Sequence, residues 1–316
     1  MTLSFWYIVL FVAIAAAIMH LDADLHIFLS PNAVEADFNN QVVWVTGASS
    51  GLGAEMAVQL NDLGAQVVMS ARRLDKLEKV ADLCRGKYAP LLIPLDVTDY
   101  DATTAAYEEV MSKFGHVDTA VLNAGRSQRM AAVDMPFDET KALMETNFLS
   151  AVFLTKLVLP DMIKRNSGKI VAVSSLSGKI GTPGGSSYSA TKYAMHGYFD
   201  ALRSELGATD VKVSLVLPGP VDSDVVSAAV RPEGRDIPDE GKKMTTPRFV
   251  NLFLRGLARD VDEMWISTQP FLLLTYMAQY MPWLSRQIGR VVGPSRVKAI
   301  DEDGNPFDLK KLLGIN

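Results

Sequence analysis

Val42-Val43-Trp44-Val45-Thr46-Gly47-Ala48-Ser49-Ser50-Gly51-Leu52-Gly53 is the stretch whose reading decides the fold. Its opening apolar residues, Val42 to Val45, read as a strand buried on both faces, the habit of a parallel sheet. Glycines follow at 47, 51 and 53, and a helical pattern then runs to about Leu63. Glycines between a strand and a helix let the backbone approach a phosphate, and the helix's unpaired amino-terminal N–H groups meet the negative charge. Gly47, Ser49, Ser50, Gly51, Leu52 and Gly53 are therefore candidate nucleotide-binding residues.

Gln66-Val67-Val68-Met69-Ser70 reads as the next strand, and Ala71-Arg72-Arg73 follow it. An acid would be expected at this strand end, ~20 residues past the glycines, to hold the ribose of NAD. None is there. Guanidinium groups suit a ribose 2′-phosphate, being always charged and able to bind it through two donors at once. Arg72 and Arg73 thus point to NADP(H). Arginines at a helix amino terminus also oppose the helix dipole, which argues against their being there only to coat a helix start.

Strand and helix alternate from there on. A helix near 74–84 precedes a strand at Ala89–Leu95 that ends in Asp96-Val97. A helix near Tyr100–Phe114 leads to the strand Thr119–Leu122 and the turn Asn123-Ala124-Gly125. A long helical pattern, about 138–164, contains Asn147. The strands Lys169–Val173 and Val211–Leu217 follow, the second ending in Pro218-Gly219-Pro220-Val221-Asp222-Ser223, and Met264-Trp265-Ile266 reads as the last strand. The pattern predicts a single α/β domain, a doubly wound parallel sheet with helices on both faces and ligands at the carboxyl ends of its strands.

Between two of these strands lies Ser174-Ser175, then a Gly/Pro/Ser loop, then Tyr188 and Lys192. Residues four apart on a helix share one face. A free phenol titrates near pH ~10, too high for neutral acid–base work, and an ammonium one turn away would favour the phenolate. A serine hydroxyl at a strand end can hold a substrate oxygen beside the phenol.

The chain has 316 residues, 48% of them hydrophobic, and a net charge of −5 without a basic stripe, so nucleic acid is not an expected partner. The only cysteine is Cys84, which excludes an intrachain disulfide. The four histidines lack metal-ligand spacing, and no metal is expected. Leu3 to Met19 carries no charge and would reach ~26 Å as a helix, near the thinner end of bilayer hydrocarbon. The segment 1–28 therefore reads as a retained membrane anchor through residues 3–19, or as a cleaved signal. The lack of Lys or Arg at its start favours the anchor.

The polar stretch about 222–246 reads as a substrate lid or an ordinary surface insertion. Phe271 to Leu284 is rich in Leu, Tyr, Met and Trp. It admits three readings: core packing, a cover for the substrate pocket, or an interfacial segment with Trp283 at headgroup level and Arg286 and Arg290 behind it. A polar tail, 301–316, closes the chain.

Thr46-Gly47-(x3)-Gly51-Leu52-Gly53, Asn123-Ala124-Gly125, Ser175, Tyr188-(x3)-Lys192 and Pro218-Gly219 occur in an order that resembles the short-chain dehydrogenase/reductase family. The likeness covers about residues 40–270, a Rossmann-type catalytic domain, with 271–316 beyond it. A narrower likeness within the family rests on Ser70-Ala71-Arg72-Arg73, Lys243-Met244-Thr245-Thr246 and Gln269-Pro270-Phe271-Leu272-Leu273. The resemblance implies that Tyr188 is the proton donor in reduction and the base in oxidation, and that Ser175 orients the substrate oxygen. It implies that Lys192 lowers the tyrosine's pKa and holds the nicotinamide ribose, and that Asn147 holds a water for a proton relay. Asp96 and Val97 would border the adenine, Asn123, Ala124 and Gly125 its ribose, and Pro218, Gly219, Val221 and Ser223 the nicotinamide end.

The implied activity is NADP(H)-dependent reduction of lipophilic carbonyls such as steroids, retinoids or xenobiotic ketones, at an endoplasmic reticulum membrane. The implied assembly is a homodimer through the helices near 138–164 and 188–206. An oxidising alcohol dehydrogenase and a non-catalytic NADP(H)-binding sensor are the alternatives. Two departures stand out: Leu122 replaces the first Asn of the family's Asn-Asn-Ala-Gly, and Ser223 replaces a Thr.

Overall fold

The computed structural model describes Tyr7 and residues 18–223, 229–232 and 243–301. Most of the run 3–19, much of the 222–246 stretch and the 302–316 tail lie outside the described residues. Seven strands form one sheet: β1 Val42–Thr46, β2 Gln66–Ala71, β3 Leu91–Pro94, β4 Thr119–Leu122, β5 Lys169–Val173, β6 Lys212–Pro218 and β7 Glu263–Ile266. Their order is β3-β2-β1-β4-β5-β6-β7, and every pairing is parallel. The order reverses between β1 and β4, and ligands of such sheets bind outside the strand ends at this reversal.

Every residue of β1 and β4 is buried, because helices cover both faces. On one face Val43, Val45, Met69, Val171 and Val216 pack with Met56, Leu60, Phe249 and Phe253 of the helices Gly51–Asp62 and Thr246–Leu257. On the other, Trp44, Val68, Ile170 and Leu215 pack with residues of the helices Tyr100–Phe114, Ser150–Arg165 and Ser186–Glu205, among them Val110, Leu154 and Phe199. Leu122, the departure from the family pattern, is 3% exposed in this second cluster. The helix Tyr100–Phe114 has the bounds its sequence signals give: Asp99 accepts from the Ala102 N–H at its start, and Gly115 ends it at φ 77°.

Phe137–Arg165 is long and apolar enough to cross a membrane by length and composition. It packs its buried Leu154, Val158 and Met162 into the core of the sheet, which accounts for that apolarity. The helix expected to be continuous over 138–164 contains a π-turn, Glu145–Leu149, centred on Asn147. Such turns are rare and concentrate at functional sites.

The connector before β1 does more than link. Ala23 bridges Ile266 of β7 in antiparallel fashion, Ile27 and Phe38 are buried in the core, and Arg248 pairs with Asp22 through two bonds of 2.8 and 3.0 Å.

Candidate active site

One cavity of about 730 Å³ opens at the carboxyl ends of the strands, a volume that suits a cofactor with its substrate. At one end is the turn after β1. Gly47 has φ +68°, and a side chain there would meet the Ala124 backbone at 2.9 Å. At Gly53 a Cβ would lie 2.3 Å from the Gly47 carbonyl, so the turn and the helix start close on each other only as glycines. Thr46 Oγ1 accepts from the N–H groups of Asn123 and Ala124 at 3.0 and 3.1 Å, and Asn123 Nδ2 donates to the Thr46 carbonyl at 2.9 Å. These bonds lock the end of β1 to the end of β4. Ser50, the residue before the helix Gly51–Asp62, makes no side-chain cap, and Ser49, Ser50, Gly51 and Leu52 all line the cavity. An uncapped helix amino terminus in a cavity is an anion site.

Arg72 and Arg73 line the same end, exposed, beside Asp96 and Val97. Asp96 accepts from the N–H and hydroxyl of Thr98 at 3.0 and 2.7 Å. Burial pushes its carboxyl up, but these bonds and the charge of Arg72 leave it below the usual carboxylate range. The glycine cradle and the uncapped helix start fit the phosphates of a dinucleotide, with two guanidinium groups at the same end.

Toward the middle of the cavity lie Ser175, Tyr188 and Lys192, with Pro218, Gly219, Val221 and Ser223 beside them. Ser175 opens the short 3-10 turn Leu176–Gly178 and accepts from the Ser177 N–H at 3.1 Å. Burial pushes the Tyr188 phenol up, while its hydrogen bond with Ser175 and the charge of Arg129 pull it down. Lys192 is 4% exposed, and its Nζ lies 5.7 Å from the Tyr188 ring centre and donates to the Val173 carbonyl at 2.8 Å. Burial lowers its pKa to about 7. The sequence reading gave Lys192 alone the task of easing the phenol's ionisation. In this arrangement the cation whose charge pulls the phenol down is Arg129, and burial still leaves Tyr188 above the usual phenol range.

Asn147 does not line the cavity. It is 1% exposed and holds the surrounding backbone: Oδ1 accepts from the Arg126 N–H at 2.8 Å, and Nδ2 donates to the Arg126 carbonyl at 2.9 Å and to Thr191 Oγ1 at 3.1 Å. Thr191 in turn donates to the Tyr188 carbonyl at 2.7 Å. The side chain thus holds the Arg126 backbone and, through Thr191, the tyrosine's helix.

The family model described as short chain dehydrogenase matches residues 41–234. The chain belongs to the short chain dehydrogenase family. It is therefore built on the nicotinamide-cofactor fold of an oxidoreductase family. Dehydrogenase/reductase SDR family member 7 of Homo sapiens is 42% identical over 292 residues, covering 88% of this chain and 86% of the relative. Family member 7B of Bos taurus is 38% identical over 208 residues, 64% of each. Among solved structures, a short-chain dehydrogenase from Streptomyces avermitilis superimposes with a TM-score of 0.68 at 28% identity, covering 79% of this chain and 98% of that one. A metagenomic short-chain oxidoreductase in complex with NADP gives 0.60 at 30% identity, covering 73% and 96%.

Gln128, Arg129 and Arg296 were not singled out in the sequence of this short-chain dehydrogenase. Gln128, fully buried, accepts from the Tyr188 N–H through Oε1 at 3.0 Å and so caps the start of the tyrosine's helix. Arg129 and Arg296 line the cavity; Arg296 Nε donates to the Pro183 carbonyl at 3.0 Å. The cavity's roof comes from two C-terminal helices, Phe271–Tyr280 and Pro282–Asp301, through Phe271, Leu274, Met277, Ile288 and Val292. Of the three readings of 271–284, the pocket cover describes the inner face of this pair. Described parts of the 222–246 stretch and its flank are pinned: Val221 bridges Met244, and Val230 exchanges backbone bonds of 2.8 and 2.9 Å with Arg129 and Ser127.

Proposed function

We propose that the chain is a membrane-anchored, NADP(H)-dependent carbonyl reductase acting on lipophilic ketones and aldehydes of the steroid, retinoid or xenobiotic kind. The observation that carries it is the single cavity joining the Ser175–Tyr188–Lys192 group to the glycine turn and Arg72/Arg73. Gly47 to Gly53 and the helix start would hold the pyrophosphate, Arg72 and Arg73 the 2′-phosphate, Asp96 and Val97 the adenine, and Asn123 to Gly125 its ribose. Pro218, Gly219, Val221 and Ser223 would hold the nicotinamide end.

Bound there, NADPH supplies the hydride. The chain supplies the rest. Ser175 donates to the carbonyl oxygen and holds it against the Tyr188 hydroxyl, which passes its proton to that oxygen as charge develops. Lys192 and Arg129 favour the phenolate that results. Lys192, with a pKa near neutrality, can return a proton to Tyr188 at physiological pH. Asn147 fixes Thr191 and thereby the tyrosine's backbone; the main-chain carbonyls of its π-turn are the groups through which a relay water would be held. Leu274, Met277, Ile288 and Val292 exclude water and favour an apolar substrate.

Residues 3–19 act as the anchor, at the endoplasmic reticulum. A homodimer through the helices 137–165 and 186–205 agrees with the exposure of Leu149 and Tyr193 on them.

The test is consumption of NADPH and NADH, measured separately, by the full chain in detergent with a panel of steroid, retinoid and aromatic carbonyls. Consumption of NADPH with any of them supports the reading. NADH preferred across the panel, or alcohol oxidation alone, refutes it.

A further inference from the structure

The two roof helices have a second face. At about 100° per residue, Ser285, Ile288, Val292 and Arg296 fall on one side of the helix Pro282–Asp301, and these residues line the cavity. Trp283, Arg286, Arg290 and Val291 fall on the opposite side. Trp283 is 70% and Val291 69% exposed, and both arginines are exposed. The junction between the helices adds Tyr280, 73% exposed, and Met281, 49% exposed. Single exposed apolar residues are ordinary, but aromatic and aliphatic side chains grouped beside two arginines are the composition of a membrane interface.

This face is tied to residues 18–24, where the chain leaves the apolar run. Gln269, just before the first roof helix, donates through Nε2 to the Ile18 carbonyl at 3.2 Å. The Ser267 N–H donates to the Asp22 carbonyl at 3.0 Å, and Asp24 accepts from the Trp265 N–H at 3.1 Å. Asp24 also accepts from the Tyr276 hydroxyl on the first roof helix. The chain emerging from the run is therefore stitched to the roof within a few residues of Met19.

We infer that the outward face of the C-terminal helix pair docks on an anionic lipid bilayer, with Trp283, Tyr280 and Val291 at the headgroup level and Arg286 and Arg290 against lipid phosphates. The pair then separates bilayer from cavity, and a lipophilic substrate dissolved in the membrane lies beside the roof of the site that consumes it. The inference rests on the reading of residues 3–19 as an anchor.

The test uses the full chain carrying Cys84→Ser, with an environment-sensitive fluorophore on Trp283→Cys or, separately, Val291→Cys. A label on Lys164→Cys, in the last turn of the helix Ser150–Arg165 and remote from the roof, is the control. The proteins are reconstituted in phosphatidylcholine/phosphatidylserine vesicles that contain a headgroup-depth nitroxide lipid. Docking gives blue-shifted, lipid-quenched emission at 283 and 291 and neither effect at 164. It also gives a loss of quenching at 291 in Arg286→Ser/Arg290→Ser. Emission at 283 and 291 matching that at 164, in a protein that stays with the vesicles, overturns the docking and leaves the anchor standing. Release of the chain by carbonate overturns both. Self-quenching that grows with protein density but ignores the nitroxide assigns the face to a second copy and also overturns the inference. Turnover is not read, so failure of the reductase reading is separable.

Discussion

Lys192 Nζ donates to the main-chain carbonyl of Val173 at 2.8 Å, so the lysine beneath the tyrosine ring is moored to the end of β5. With a pKa lowered to about 7 by burial, against an unfolded value of ~10.4, it is a group whose folded state gives up its proton first. Below pH ~7 both states are protonated and the cost of the buried charge is fully present. From pH ~7 to ~10 the unfolded chain binds the extra proton, so stability rises with pH. The stability of the full chain without cofactor is expected to rise across this window by on the order of a few kcal/mol, read as an upward shift in melting temperature, and Lys192→Met is expected to flatten the slope. Equal slopes in the two proteins would contradict a buried, deprotonating lysine.

Arg72 is expected to read the 2′-phosphate. A charge-assisted bond contributes ~1.5–3 kcal/mol, so Arg72→Ala should weaken NADPH by about 10- to 100-fold and NADH little. Equal loss for both cofactors, in a binding titration, would remove the assignment.

Thr191 joins Asn147 to the Tyr188 carbonyl. Thr191→Val keeps the shape but leaves Asn147 Nδ2 with one acceptor fewer, at a cost of ~1–3 kcal/mol. The expected signs are a lower melting temperature and a lower kcat with unchanged NADPH affinity. Asn147→Ala should be more severe, because the Arg126 N–H and carbonyl also lose their partners.

Much of this was legible beforehand, for a local reason. Buried parallel strands are continuous apolar runs, and Thr119–Leu122 and Lys169–Val173 stand in the structure with the bounds read from the sequence. The glycine turn and the Tyr188/Lys192 pair have fixed spacings. What was not legible depends on distant partners. Nothing in Gln128 announces that it caps a helix 60 positions away. The π-turn at Asn147 interrupts no hydrophobic period, since its neighbours keep helical spacing on both sides. Residues 285–300 mix Gly, Pro, Arg and aliphatics and give no clear stripe; their inner face becomes visible only against the cavity.

Asp24 and Tyr276 hold the roof to the chain that precedes β1. Asp24→Ala strands the Trp265 N–H and the tyrosine hydroxyl. The expected outcome is a loss of ~2–4 kcal/mol, two unmade bonds at ~1–2 kcal/mol each, together with a raised KM for apolar substrate and unchanged NADPH affinity. A melting curve and a KM both equal to wild type would show that the roof does not depend on this bond.

The most direct measurement is turnover of a lipophilic carbonyl with NADPH by the wild type and Tyr188→Phe, alongside NADPH affinity for each. Proton transfer by a positioned side chain contributes ~10²- to 10⁴-fold. The expected result is a loss of kcat at least this large, with cofactor affinity nearly unchanged. Wild-type turnover in Tyr188→Phe would contradict the reductase site at its centre.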